Sequence, residues 1–247
     1  MKKVEKKIIT SVIILVLSIS SISLAQNENN LIQNTLQQLN NLSVSLKILF
    51  LITILSLAPS ILITFTSFVR IVIVLSLLRH ALGIPQSPPN QVIISLALFL
   101  TFFVMKPVFE DINKNAIQPY IKQEIGDMEA LSKASKPIKD FMLKNTRKED
   151  LKLFIDLSGE KPKSPEDIGM ITLIPAFLIS EIKTAFEIVF LIFLPFLIID
   201  LLIASILMSM GMMMIPPMMI SLPFKLILFV LADGWELLIK GLIESYR

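Results

Sequence analysis

Ionisable side chains stand inside otherwise apolar stretches, among them Arg70 in the first and Glu181, Lys183, Glu187 and Asp200 in the second. A charge in hydrocarbon costs about 2.5 to 3.5 kcal/mol even on lenient insertion scales, so each must face protein or water. Lys183 and Glu187 are four apart and can pair on one helix face, whereas Glu181 and Lys183, two apart, point in different directions. Glu181 and Asp200 therefore need partners on another helix or another subunit. Two readings stand side by side. The charges form a polar pathway or an assembly contact, or the helices lie partly outside the bilayer and meet water.

Conventional catalytic chemistry finds little purchase. The chain has no cysteine and one histidine, His80, which removes disulfides, thiolate metal sites and imidazole pairs. There is no Gly-x-x-x-x-Gly-Lys phosphate loop and no Gly-x-Ser-x-Gly nucleophile turn. Asp200 and Asp233 are the one carboxylate pair that could share a proton, and nothing around them supports it. The chain is read as not an enzyme, with no cofactor.

The least ordinary stretch runs from Met208 to Met219 and holds seven of the twelve methionines: Met208, Met210, Met212, Met213, Met214, Met218 and Met219. Methionine is unbranched and polarizable, so such a cluster can close around an irregular object and reopen. That suits a seal around a pore. A sticky core or a lipid-facing helix end accounts for the same composition.

The elements that carry these residues follow from hydropathy. Hydrophobic residues make up 54% of the chain, charged residues 17%, and the mean hydropathy is +0.75, which places it among membrane proteins. The net charge of +3 does not imply nucleic acid, because the lysines are scattered among acids instead of forming a basic face. Residues 1–25 have the parts of a cleavable signal: Lys2, Lys3, Lys6 and Lys7, an apolar stretch from Ile8 to Ile22, then Ser23-Leu24-Ala25. Cleavage is expected between Ala25 and Gln26. An Asn- and Gln-rich extracytoplasmic lead follows at 26–45.

Two apolar blocks, 46–105 and 171–247, are each too long for one span. The first is interrupted by Pro59, Arg70 and the turn-forming run from Gly83 to Asn90; the second contains Pro175, Pro195, Pro216, Pro217 and Pro223. Each is expected to fold as a proline-broken helical hairpin, with Pro216-Pro217 ending a helix. Residues 106–170 are charged and weakly amphipathic, giving a small helical domain. With the mature N-terminus outside, four crossings put the Arg79 and His80 loop inside and this insert outside, a placement that loop charge supports only weakly. The expected fold is therefore an all-α membrane protein with two long hairpins and a small helical extracytoplasmic insert.

Longer motifs go further. They include Leu57-Ala58-Pro59, Thr66-Ser67-Phe68-Val69-Arg70-Ile71, Leu78-Arg79-His80-Ala81-Leu82-Gly83 and Pro88-Pro89-Asn90-Gln91. In the second half stand Pro175-Ala176-Phe177, Ser180-Glu181-Ile182-Lys183-Thr184-Ala185-Phe186, Phe193-Leu194-Pro195-Phe196-Leu197-Ile198-Ile199-Asp200, the methionine run, Ser221-Leu222-Pro223-Phe224-Lys225 and Asp233-Gly234-Trp235. Over 57–109 and 171–235 the chain resembles the FliP/SctR family of type III secretion export-gate proteins. The signal-like first segment favours the flagellar branch over the injectisome branch.

That resemblance implies a homo-oligomer of five copies assembled with FliQ and FliR into a helical pore complex, working with FlhB and FlhA. Unfolded flagellar proteins would leave through it at the basal body in the bacterial cytoplasmic membrane, and a large part would stand outside the cytoplasm. It also implies hairpins packed into a cone above the membrane plane, which weighs against four true crossings. Met208, Met210, Met212, Met213 and Met214 become the expected gasket, and Glu181 and Lys183 the expected inter-subunit contacts. A secondary transporter would instead build a midplane site from broken helices within inverted repeats, and the two blocks share no evident motif. A structural envelope scaffold is the third class.

Overall fold

The computed structural model describes residues 44–212 and 215–246; the expected signal, its cleavage at Ala25-Gln26, most of the lead at 26–45, and Met213 and Met214 lie outside them. Among the described residues every regular element is helical. The chain divides into two compact units, residues 1–56 and 57–247. In the first, the described residues are helical and expose Ile48, Ile52 and Leu55.

Helix α1 (Val44–Phe65) runs through Pro59 without a break, so the expected interruption there does not occur. The break comes at Thr66-Ser67, where the segments Pro59–Phe65 and Phe68–Leu82 meet at 88°. Its cause is local. The Thr66 hydroxyl donates to Leu62 O (2.5 Å) and accepts the Phe68 N–H (3.3 Å), offering the backbone an alternative to the helical ladder.

Helix α2 (Phe68–Leu82) is the centre of the second unit. Phe68, Ile71, Val74, Leu75, Leu78, Ala81 and Leu82 are buried, at the three-and-four spacing of a helix face, and pack with Ala185, Val189 and Phe196. Gly83 ends it in the left-handed region (φ 81°), its N–H bonded to His80 O and that of Ile84 to Arg79 O. This paired capping satisfies the carbonyls of Arg79 and His80, and it requires a residue without a Cβ penalty.

Helix α3 (Asn90–Ile112) continues through a π-helical turn (Asn113–Ile117) into α4 (Gln118–Ile121), a helical run of 32 residues that passes Lys106 unbroken. The polar region then folds as α5 (Asp127–Asn145) and α6 (Lys148–Ser158), each with two acidic residues in its first turn to complement the helix dipole. Met142 and Ile168, with Ile138, Phe141, Leu151 and Ile155, close over Leu173 and Phe177 of the next helix. The insert is thus packed on the apolar frame.

That next helix, α7 (Met170–Ser209), has 40 residues and contains both Pro175 and Pro195. At 1.5 Å per residue it is about 60 Å long, roughly twice a hydrocarbon core. Helix α8 (Pro217–Leu231) starts with Pro217 in its first turn, where a missing N–H costs nothing, and carries Pro223 inside. A second unforeseen corner at Ala232-Asp233 leads to α9 (Gly234–Glu244), whose Leu238 and Leu242 are buried, followed by buried Tyr246.

Four crossings are not what these helices provide. Two are long and apolar enough, the Asn90–Ile121 run and α7, or three if the bent α1–α2 pair is counted as one. Helix α8, with 15 residues, reaches only about 22 Å, and α2 is sheathed by protein.

The α8–α9 corner gives a direct test. A Cβ on Gly234 would overlap the Phe229 ring, which is held between Phe196 (centroids 6.5 Å apart) and Trp235 (5.6 Å, edge-on). Gly234→Ala is expected to cost about 1 to 3 kcal/mol, as overpacking does, and to shift the emission of Trp235, the only tryptophan. Unchanged melting and emission would show that the ring has room to move.

Candidate functional site

The charged residues singled out in the sequence fall into three clusters ranged along α7. In the first, Arg70 and Glu181 are both buried and form a two-pronged pair: Arg70 Nε donates to Glu181 Oε2 (3.1 Å) and Nη2 to Oε1. Arg70 Nη1 also donates to Ser245 O (3.1 Å) and Ser245 Oγ (2.9 Å). The Tyr246 hydroxyl donates to Glu181 Oε2 at 2.5 Å, and its ring lies under the guanidinium, 3.8 Å from centroid to carbon. An ion pair taken out of water is tolerable only with such complete satisfaction.

The second cluster fastens the insert. Lys183 pairs with Asp150 of α6, not with Glu187 as its spacing suggested. Glu187 pairs with Arg147, whose Nη2 also donates to Thr184 Oγ1 (3.0 Å). Ser180 Oγ donates to Asp150 Oδ2 (2.9 Å) and accepts the Arg147 N–H (3.0 Å). The α5–α6 turn brings Arg147 and Asp150 within reach of two successive turns of α7, which outcompetes a solvent-exposed i,i+4 pair. Glu181 and Lys183, expected to face another subunit, are both occupied inside the chain.

In the third cluster, Asp200 accepts from Ser221 Oγ (2.5 Å) and from Lys225 Nζ (2.6 Å), and Lys225 also donates to Ala81 O (3.2 Å) at the end of α2. Lys225 is 3% exposed, so these two acceptors are what make its burial tolerable. Asp233 is exposed at the start of α9, while both Asp200 oxygens accept from Ser221 and Lys225 of α8. Among the described residues no group of three or more acidic or imidazole side chains can hold a metal.

The methionine turn links α7 to α8. Met208 and Met210 are exposed, Met212 is half-buried, and Gly211 is left-handed (φ 74°). Met218 and Met219 are exposed on the first turn of α8, and Gly83 at the tip of the α2–α3 hairpin leaves room for Met218 and Leu222. The gasket positions Met213 and Met214 lie outside the described residues.

Tyr246, Ser245, Arg147, Asp150, Ser180, Ser221 and Lys225 complete these clusters and were not singled out from the sequence. The rule that singles out Asp200, a charge in an apolar stretch, applies equally to Lys225. Nothing local marks Arg147 and Asp150, which sit in a region of many charges.

Two outcomes are expected. Arg70→Ala or Glu181→Ala leaves a buried charge unpaired and is expected to lower stability by about 3 to 5 kcal/mol, while Arg70→Met with Glu181→Leu costs far less; a double variant as unstable as the singles in thermal melts contradicts this. Asp150 is subject to a burial cost that raises its pKa, but hydrogen bonds from Lys183 and Ser180 and the nearby charges of Lys183 and Arg147 together hold it below the ordinary carboxylate value. The docking contribution is therefore full above the ordinary value and is lost as pH falls through the lowered one. Hydrogen exchange in α6, corrected for intrinsic rate, should rise across that acid range in wild type and not in Asp150→Asn.

The model of the FliP family matches residues 51–242. The chain is 59% identical over 210 residues to the Flagellar biosynthetic protein FliP of Aquifex aeolicus, covering 84% of this chain and 88% of that protein. It is 57% identical over 207 residues to the protein of the same name from Bacillus subtilis, covering 83% and 94%. A third of that name, from Caulobacter vibrioides, is 57% identical over 198 residues, covering 80% and 74%. A family match over most of the chain, with more than half the residues identical to each of these relatives, leaves one assignment: the chain belongs to the FliP family.

Proposed function

We propose that this chain is a pore-forming subunit of the flagellar protein-export gate, passing unfolded flagellar proteins across the bacterial cytoplasmic membrane. The observation that carries the reading is the 59% identity, over most of both chains, to a protein named for flagellar biosynthesis. In it, about five copies assemble with FliQ and FliR, and FlhB and FlhA act on the cytoplasmic side; the polar insert at 106–170 stands outside the membrane. The chain works by packing and closure, without catalysis or a cofactor.

The methionine turn supplies the closure. Met208 and Met210 project from the end of a 40-residue helix with little of their own chain around them, 58% and 64% exposed. Side chains so placed can meet their copies from neighbouring subunits. A ring of unbranched thioethers excludes water and ions by apolar contact and deforms around a passing chain, without demanding a particular sequence from it. The three ionic clusters hold the helix that presents the turn, their groups paired within the subunit.

The test is ion leak and flagellin export in cells whose own gate gene is replaced by this one, comparing wild type with Met212, Met213 and Met214 changed together to Ala. The expected result is a leaky membrane with export retained or altered. A tight membrane and unchanged export would make these methionines ordinary packing, and failure of the wild-type gene to support export would count against the gate reading itself.

A further inference from the structure

Tyr246 touches more separate parts of the subunit than any other residue in the ionic clusters. Its hydroxyl lies 2.5 Å from Glu181 Oε2 on α7 and 3.2 Å from Ser67 O, the carbonyl at the apex of the 88° bend. Its ring lies against Arg70 of α2 and stacks on Phe141 of α5, centroids 6.0 Å apart and 20° from parallel. Phe141 in turn meets Phe177 of α7 edge-on at 6.0 Å. The sequence brings the tyrosine there by continuing the buried face of α9, Leu238 and Leu242, one further turn.

We infer that Tyr246 is a positioning residue of the export gate whose two ends do different work, the hydroxyl fixing the bend at Ser67 against α7 and the ring fixing the polar insert. The inference rests on the gate reading for its functional part only. A phenol has one proton for two acceptors, and the shorter, charged one takes it. Glu181 is thereby held by three donors, and the bend beside it is held by the pair that Glu181 makes with Arg70. Ser67 reinforces the case from the other side: its own hydroxyl is buried with no hydrogen-bond partner among the described residues, so the side chain at the apex does not hold the bend. Burial, and then the charge of Glu181, push the Tyr246 phenol well above its ordinary range, so the proton stays available throughout the physiological range.

The ring does its work without the hydroxyl. Stacking on Phe141 and on the guanidinium depends on the π face, which phenylalanine retains. From Glu181 to Met208 the same helix runs on for about 40 Å at 1.5 Å per residue. What fixes its beginning therefore sets where the methionine turn is presented.

Hydrogen exchange on the full chain in detergent, with Tyr246→Phe and Tyr246→Leu beside wild type, separates the two ends. Tyr246→Phe is expected to speed exchange about tenfold across residues 67–71 and to leave 136–145 unchanged; Tyr246→Leu is expected to speed both. If Tyr246→Phe matches wild type in both segments, or loosens both alike, the division of labour is wrong. Because Tyr246→Phe keeps volume and ring, it tests the idea even if Tyr246→Leu does not fold. In cells, Tyr246→Phe should reach the membrane in normal amount and export flagellin at least threefold more slowly, and normal export would overturn its role in positioning the gate. Failure of the wild-type gene to export would strike the gate reading alone, leaving the exchange result to stand or fall separately.

Discussion

A guanidinium and a carboxylate buried together, Arg70 on α2 and Glu181 on α7, set the terms for the rest of the subunit. Neither can be left alone there, because one unpaired charge in such a place costs several kcal/mol. Every element nearby is arranged to serve them. The two central helices must cross where the residues meet, and the chain after α9 must return so that Ser245 and Tyr246 supply the remaining acceptors and donor. Apolar packing between α2 and α7 would tolerate sliding by a turn. The ion pair does not, and so it converts a greasy contact into a registered one.

From that fixed crossing, α7 extends in both directions with different surroundings. Its first half lies under the polar insert and carries Glu181, Lys183 and Glu187, each paired inside the chain. Its second half exposes Phe190, Leu191, Leu197, Leu201 and Leu202. A helix of about 60 Å has length enough to be a scaffold at one end and a hydrocarbon-facing element at the other. The question raised by charges in an apolar sequence, pathway or water, resolves for Glu181 into burial against protein, while Lys183 and Glu187 are exposed and paired with the insert. For Asp200, further along, the answer is a local partner on α8.

Much of this was legible in the residues. Helical class and the turn after Gly83 follow from short-range rules; Pro216-Pro217 does not end a helix as expected but caps and opens α8, α7 having closed at Ser209 before the left-handed Gly211. The corner at Thr66-Ser67 was not legible, because it holds neither proline nor glycine and is made by a hydroxyl bonding its own backbone; the corner at Ala232-Asp233 carries a local signal in Asp233-Gly234, the aspartate standing in the left-handed region (φ 48°). Pro59, Pro175 and Pro195 misled in the opposite sense. A helix packed on neighbours, or surrounded by hydrocarbon, keeps its course through a proline because the few freed carbonyls cost less than ending the helix would. Partners for the charges were the least legible. The attraction of Lys183 to Asp150, 33 positions away, depends on how the α5–α6 turn lies on α7, and no local spacing encodes that.

The pairing of the charges along α7 within the chain has a practical edge. Glu181, Lys183, Glu187 and Asp200 are all engaged at home, and the flank formed by Phe186, Phe190, Leu191, Leu194 and Leu197 is apolar except at its edge, where Glu187 is paired with Arg147. A neighbour meeting that flank is held by the exclusion of solvent and by close contact, forces that ionic strength hardly touches. Amphiphiles are a different matter, since an alkyl tail satisfies the same surface. During extraction from the membrane, the chain length and concentration of the detergent, more than the salt in the buffer, therefore decide which contacts along this helix survive.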